Sequence, residues 1–409
     1  MTTAIARLAE ELARGCVDVL PRDALADRLA RAEREQRPLR VKLGLDPTAP
    51  DIHLGHCVVL QKLRQFQDAG HIAVLIVGDY TARVGDPSGR SKTRPVLSGE
   101  QIDANAKTYQ EQAFQVLDRD RTEVRWNGEW LSAMTPEDMF RLMRIATVAQ
   151  ILEREDFANR FAAHEPISIL ELLYPLLQAY DSVAINADIE FGGTDQLFNL
   201  MMGRVVMPHY GLDPQLVMTT PILPGTDGVR RMGKSLGNYV GVTEEPGEVF
   251  GKVMSIPDES MPEWYRLAAG IPWEHAEQFI TGIESGGTHP NHAKRTLARL
   301  IIERFHDAAT AAEAEARFDT MFKRHEAPED TPELQLDTVP RNEGGMIFLP
   351  AMLTAHLEVG SNGEARRLIA QGGVKVNGVP LPPDDLEIDP DYLRGATLQV
   401  GKRRFLHIT

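Results

Sequence analysis

The stretch Arg40–Val77, RVKLGLDPTAPDIHLGHCVVLQKLRQFQDAGHIAVLIV, decides the fold. RVKLGL is a short strand candidate. DPTAPD carries two prolines among turn-forming residues, so the spacing predicts a loop. HLGHCVVLQKLRQFQDAG reads as a helix that stops at Gly70. IAVLIV is a continuous apolar run rich in β-branched residues, as expected of a strand covered on both faces of a parallel sheet. Strand, helix and apolar strand make a βαβ unit with a right-handed crossover. The expected class is α/β, built on a Rossmann-like, doubly wound parallel sheet that binds a nucleotide.

Outward from this unit, residues 1–36 show helical spacing, and residues 98–160 read as helical. Thr135-Pro136-Glu137-Asp138 has the form of a helix start. Residues 168–205 read as a helix, a Gly-Gly turn and a second helix. A strand-like LVMTTPIL (216–223) leads into PGTDGVRRMGKSLGN (224–238), whose four glycines and three cations suggest an exposed, mobile loop. Residues 257–325 are mostly helical. Residues 326–345 hold six acids, three prolines and one arginine, the composition of a linker. The last 64 residues carry seven basic and seven acidic side chains and read as a small α+β module. The expected division is therefore 1–230, 231–325, a linker at 326–345, and 346–409.

The 409 residues suffice for two to three domains. With 43% apolar and 25% charged residues the chain is globular and not disordered. A net charge of −15 excludes a uniformly basic nucleic-acid coat but leaves room for a local basic patch. Two cysteines, Cys16 and Cys57, are too few for a disulfide scaffold and suit a reducing cytoplasm. No apolar run approaches the ~20 residues needed to span a bilayer. The N-terminal helix mixes acids with its arginines, unlike a signal peptide.

Two constellations carry chemistry. In His53-Leu54-Gly55-His56, two imidazoles three apart share one face at the start of a helix. Free N–H groups and the helix dipole favour an anion there, and Gly55 lets a ligand approach the backbone. A metal pair is one competing reading, but neither a nearby third ligand nor a zinc-type pattern supports it, and two surface histidines are the other. Arg231-Met232-Gly233-Lys234-Ser235 places flexible cations beside the nucleotide fold, where they could close over a transferring phosphate. A solvated basic loop is the bland alternative.

With HLGH and RMGKS in this order, flanking a βαβ unit, the chain resembles the class I aminoacyl-tRNA synthetases. RMGKS has Arg for the first Lys and Gly for the first Ser of the family's second signature. The resemblance covers nearly the whole chain. It is strongest to the bacterial tyrosyl enzymes of the second subtype, through LDPTAPDIHLGH, VGDPSG, YPLLQAYD and GGTDQ. It implies that ATP, accompanied by Mg2+, and L-tyrosine form tyrosyl-adenylate and pyrophosphate. The tyrosyl group then passes to the 3′ end of tRNA-Tyr. A carboxylate is already nucleophilic, so positioning and charge stabilisation carry such a reaction.

The resemblance assigns His53, His56, Thr48, Arg231 and Lys234 to the ATP phosphates, and Arg90 occupies a position that is often cationic. Asp46, Gly55, Gly193, Asp195, Gln196 and Met232 complete the expected ATP and adenylate site. For Asp195 a helix-cap role competes. Tyr174, Gln178 and Asp181 lie on one helix face at i, i+4 and i+7. The resemblance gives Tyr174, Gln178 and Asp86 to the substrate ammonium and Asp181 to the phenolic hydroxyl. One departure stands out. Many tyrosyl enzymes have a tyrosine two residues before the glycine of the first strand; this chain has Lys42 before Gly44.

EARRLIAQGGVKVNGVPL (364–381) resembles the alpha-L type RNA-binding module of ribosomal small-subunit protein S-four. Arg366, Arg367, Lys375 and Asn377 are its candidate RNA contacts, and Lys402, Arg403 and Arg404 form a second basic cluster. The family resemblance also implies anticodon contacts from 257–325 and a homodimer with residues 130–165 near its interface. The competing readings are the tryptophan enzyme, against which Asp181 argues, and a catalytically silent RNA-binding relative, against which HLGH and Lys234 argue.

Overall fold

The computed structural model describes residues 3–47, 51–86, 99–320, 331–401 and 404–409. Thr48, Arg90, Lys402 and Arg403 therefore lie outside the described residues. The chain forms two compact units, residues 1–245 with 252–305, and 246–251 with 306–409.

The first unit is built on a six-stranded sheet. Its strands are β1 (Asp18–Leu20), β2 (Arg40–Leu45), β3 (Ile72–Val77), β4 (Thr122–Trp126), β5 (Ile189–Gly193) and β6 (Leu216–Thr220). The order is β1-β6-β5-β2-β3-β4, with β2 to β6 parallel and β1 antiparallel to β6. The chain winds outward through β3 and β4, then returns to the other side of β2. The order therefore reverses between β2 and β5, and it is outside the C-terminal ends of strands at such a reversal that α/β sheets bind ligands.

The expected βαβ unit is present. β2 leads to helix α1 (Leu54–Asp68), which ends before Gly70 at φ +93°, and then to β3. Val41, Leu43, Ile189 and Phe191 face one side of the sheet and pack with Leu60, Leu63 and Phe66 of α1. Period-two alternation turns Lys42 and Glu190 to the other side. That side is covered by helix α2 (Ile169–Ile185), which includes Pro175. Helix α3 (Leu197–Val206) follows β5.

Three strands depart from the sequence reading. β1 lies inside the segment read as helical over 1–36, β4 inside 98–160, and β5 where a Gly-Gly turn was expected. β4 is an edge strand with Glu123 and Arg125 on it, so it has no continuous apolar run. β5 carries the buried Glu190 and ends in the two glycines, which broke its pattern. The helix start at Thr135 is as expected, with Asp138 N–H donating to Thr135 Oγ1 at 3.2 Å.

The second unit holds β7 (Glu333–Leu334), β8 (Ile347–Phe348), β9 (Val374–Val376), β10 (Val379–Pro380), β11 (Glu387–Ile388), β12 (Thr397–Val400) and β13 (Arg404–Ile408). The sheet order is β10-β9-β12-β13-β7, with β8 and β11 paired apart. Leu334, Leu336 and Val339 are part of its core. The described part of 326–345 is thus not a linker. Its three apolar side chains are buried despite the acidic composition around them. Likewise, residues 252–305 group with the sheet unit, and the helix Ala308–Asp319 groups with the tail.

Candidate active site

The first unit holds the described residues predicted for the nucleotide and the amino acid. His53 precedes α1, and His56 lies in its first turn. His53 N–H donates to His56 Nδ1 at 3.2 Å, and the ring centroids are 3.9 Å apart. A neutral His56 that accepts at Nδ1 carries its proton on Nε2 and so presents a donor. Burial pushes the His53 pKa down to about 2, with His56 and Arg231 adding to the effect. Burial alone takes His56 to about 4. Burial thus disfavours the charged form of both imidazoles, which leaves them suited to hydrogen bonding as neutral rings.

The second signature lies against the start of α1. Leu54 N–H donates to Val240 O at 2.9 Å, and His53 bridges to Gly241, which fastens the start of α1 to the chain just beyond RMGKS. A Cβ at Gly55 would lie 3.0 Å from the His53 ring and 3.6 Å from Met232 Cβ. A side chain there would crowd the place where the two signatures meet. Arg231 reaches Asp195 Oδ2 at 3.5 Å, and Lys234 forms an ion pair with Asp51. Both cations are exposed enough to exchange these carboxylates for a ligand anion.

RMGKS is not an unstructured loop. Gly225 N–H bonds to Arg230 O at 2.8 Å and Met232 N–H to Leu223 O at 3.1 Å, forming a hairpin. The buried Asn238 closes its base. Its Oδ1 accepts from Gly233 N–H at 2.9 Å, and its Nδ2 donates to Asp227 at 3.0 Å and Arg231 O at 3.1 Å. Composition alone gave no sign of this clamp.

A second group of side chains is rich in carboxylates. Tyr174 OH and Thr81 Oγ1 each donate to Asp46 at 2.8 Å. Gly78 makes the second bond possible, because a Cβ there would overlap Asp46 Oδ1. Burial raises the Asp46 pKa to about 7, with Asp86 and Asp181 adding to it against the two hydroxyls. Asp181 accepts from Trp130 Nε1 at 2.9 Å and Asn127 Nδ2 at 3.3 Å. Its pKa rises to about 6, mainly through burial, against Lys42 and these two donors. Asp86 pairs with the buried Arg154 at 3.0 Å and accepts from Gln196 Nε2 at 2.9 Å. Gln178 Nε2 donates to Glu190 at 3.3 Å. Gly193 and the turn Thr194–Gln196 extend β5 at the rim. Burial raises the pKa of Asp195 against the pull of Arg231.

The geometry thus gathers Asp46, His53, Gly55, His56, Asp86, Tyr174, Gln178, Asp181, Gly193, Asp195, Gln196, Arg231, Met232 and Lys234 within one unit. Thr81, Asn127, Trp130, Arg154 and Asn238 were missed. Asn127 directly follows β4, and recognising that strand would have marked it as a crevice residue. Trp130 and Arg154 carried no such signal.

In the second unit, Arg366 and Arg367 are exposed on the helix Asn362–Ala370, and Lys375 is half-buried on β9. Asn377 instead has a structural task. It sits at φ +50° in the β9–β10 turn, and its Oδ1 accepts from Thr397 N–H at 2.8 Å. Arg404 donates to Leu357 O at 3.0 Å and Glu358 O at 2.9 Å, at the end of a helix, so it too is committed.

The family model described as tRNA synthetases class I (W and Y) matches residues 34–323. The chain is 48% identical over 404 residues to the tyrosine–tRNA ligase of Moorella thermoacetica, covering 99% of this chain and 96% of that protein. It is 48% identical over 398 residues to the tyrosine–tRNA ligase of Thermotoga maritima, covering 97% and 96%. Its fold is similar to that of tyrosyl-tRNA synthetase from Archaeoglobus fulgidus, solved in complex with L-tyrosine. The TM-score is 0.62 at 22% identity, over 75% of this chain and 99% of that one.

Proposed function

The chain belongs to the class I tRNA synthetases that serve tryptophan and tyrosine and acts as a tyrosine–tRNA ligase, and from this premise we propose how its residues divide the work. The tyrosine carboxylate attacks the α-phosphorus of ATP, the bond to pyrophosphate breaks, and tyrosyl-adenylate forms. A ribose hydroxyl at the tRNA 3′ end then attacks the activated carbonyl and releases AMP. Mg2+ enters with ATP, held by its phosphates.

His53 and His56 donate to the phosphates from the helix start as neutral groups. Arg231 and Lys234 supply the positive charge that grows in value as negative charge moves onto pyrophosphate. Thr48 and Arg90 are proposed to join them. Asp46, Gly193, Asp195 and Gln196 hold the adenylate, with Gly55 and Met232 shaping the nucleotide side. Asp86, Tyr174 and Gln178 receive the substrate ammonium, and Asp181 reads the phenolic hydroxyl. The observation that carries this reading is the meeting of HLGH with RMGKS at Gly55 and Met232, beside the carboxylate pocket. Amino-acid-dependent exchange of pyrophosphate into ATP tests it. Exchange with tyrosine alone is expected. Exchange driven by tryptophan would reverse the assignment of Asp181, and none at all would remove the catalytic roles.

The tail is proposed as a tRNA-binding module through Arg366, Arg367 and Lys375. The helices of 257–305 are proposed to contact the anticodon region. Removal of residues 331–409 takes the module away together with its β7 core. Aminoacylation is expected to fall at least about tenfold through a weaker tRNA KM, as expected when phosphate contacts are lost. Adenylation should keep its rate. A parallel loss of both activities would make the module structural instead.

A homodimer is proposed from apolar side chains left exposed along one segment, Phe140, Val148, Phe161, Ile169 and Leu170. A second copy of the same chain is the occupant proposed for this surface. Light scattering should give twice the chain mass for the native protein and a single-chain mass for Phe161→Glu/Ile169→Glu. A native mass of one chain would refute the dimer. A cytoplasmic setting is proposed in keeping with the two free cysteines.

A further inference from the structure

Lys42 and Glu190 are register partners on the neighbouring parallel strands β2 and β5, at the reversal of the sheet order. Both side chains are wholly buried, and Nζ lies 2.9 Å from Glu190 Oε1. They face α2. Lys42 Nζ also donates to Gln178 O at 2.9 Å and to Ser182 Oγ at 2.8 Å. Three acceptors use the three donors of the ammonium. Glu190 is equally occupied. Its Oε1 also accepts from Gln178 Nε2 at 3.3 Å, and its Oε2 accepts from Ser182 Oγ at 3.2 Å and from Gln215 Nε2. Asp181 lies between the two anchored residues of the helix, and the charge of Lys42 reaches its carboxylate.

A buried ion pair is a weak source of stability, since apolar residues of similar size often serve as well or better. Its placement here does something an apolar pair would not. It ties the backbone of Gln178, the side chain of Gln178 and the hydroxyl of Ser182 to one rigid point of the sheet. We propose that Lys42, held by Glu190, is a positioning residue for amino-acid selection, fixing the turn of α2 that presents Gln178 to the substrate ammonium and Asp181 to its phenolic hydroxyl. The inference rests on the tyrosine-binding roles given above to Gln178 and Asp181. Lys42 itself does not touch the amino acid. Its effect is the geometry and charge of the groups that do.

The test uses the full chain and Lys42→Met/Glu190→Gln, which removes both charges together and leaves neither ion stranded. Tyrosine-dependent exchange is measured against tyrosine, phenylalanine and ATP concentration. In the folded variant the tyrosine KM is expected to rise about tenfold, and the preference for tyrosine over phenylalanine to fall by about as much, from the loosening of charge-assisted hydrogen bonds. The ATP KM should stay within about twofold, because the phosphate residues are fastened elsewhere. Lys42→Arg/Glu190, with the cation kept, should lie between this variant and the native enzyme. An unchanged tyrosine KM and selectivity would overturn the proposal, and so would an equal rise in both KM values, which marks general damage. If the double variant does not fold, Ser182→Ala carries the test. A tyrosine KM raised about threefold supports the clamp, and an unchanged one overturns it. Native enzyme that fails to exchange with tyrosine would defeat the underlying assignment, whereas native exchange with insensitive variants defeats only the clamp.

Discussion

Lys234→Ala is expected to slow tyrosine-dependent pyrophosphate exchange by about 10²–10³-fold, the usual cost of removing one preorganised charge from a transition state. Tyrosine affinity, read by equilibrium titration, should stay within about twofold. The split follows from position. Lys234 lies in the hairpin segment held by Asn238, and its partner Asp51 lies just ahead of His53, one of the residues proposed to bind phosphate. The residues proposed to bind the amino acid include Tyr174, Gln178 and Asp181 on α2, apart from this hairpin in sequence. The ammonium of Lys234 is a compact point charge, so arginine should restore only part of the rate. A normal exchange rate in Lys234→Ala would remove this residue from the chemistry. A large loss of tyrosine affinity would show that the hairpin shapes the amino-acid pocket as well.

The second large effect is expected at Asp181. Asp181→Asn should lower kcat/KM for tyrosine by about 10²-fold, because an amide replaces a charged acceptor and presents an N–H to groups that already donate. Trp130 and Asn127 both point donors at this carboxylate. Phenylalanine should lose far less, so the preference for tyrosine shrinks. Sites built to bond a substrate hydroxyl reject the analogue lacking it by leaving their own polar groups unpaired, an effect for which tyrosyl enzymes are themselves the standard illustration.

The same residue predicts a pH limb. Asp181 has a pKa of about 6 and Asp46 of about 7, both raised mainly by burial. A raised carboxyl pKa means that the acceptor is lost as the pH falls through these values. In the native enzyme, kcat/KM for tyrosine should therefore decline from pH 7.5 to pH 5. This parameter reports the free enzyme. A phenolic hydroxyl that donates to Asp181 would favour its carboxylate form, so kcat should hold to lower pH. In Asp181→Asn the portion of the decline near pH 6 should vanish. A flat profile in the native enzyme would contradict the burial of these acids.

The fold class was legible from Arg40 to Val77 because that segment follows simple rules: alternation in β2, helical spacing in α1 and an apolar run in β3. Strands that break those rules were not legible. β5 hides a glutamate in its middle, and β4 carries charges at an edge. The linker reading failed for a related reason, since acids outnumbered Leu334, Leu336 and Val339 while those three residues decided the packing. At the site, residues that would touch a substrate stood out by type and spacing. Those that hold them in place did not. Asn127, Trp130, Arg154 and Asn238 act through long-range contacts, for which local sequence has no pattern. Lys42 stood out only as a mismatch, and the reason for a lysine there became visible once β5 was placed beside β2.

The first and last strands of the second unit run side by side. Glu333 pairs with His407, Thr409 N–H donates to Leu334 O at 2.9 Å, and Leu336 N–H donates to Thr409 O at 2.8 Å. These bonds make the two strands depend on each other: opening one unpairs the other, so their amides should exchange with solvent in a single step.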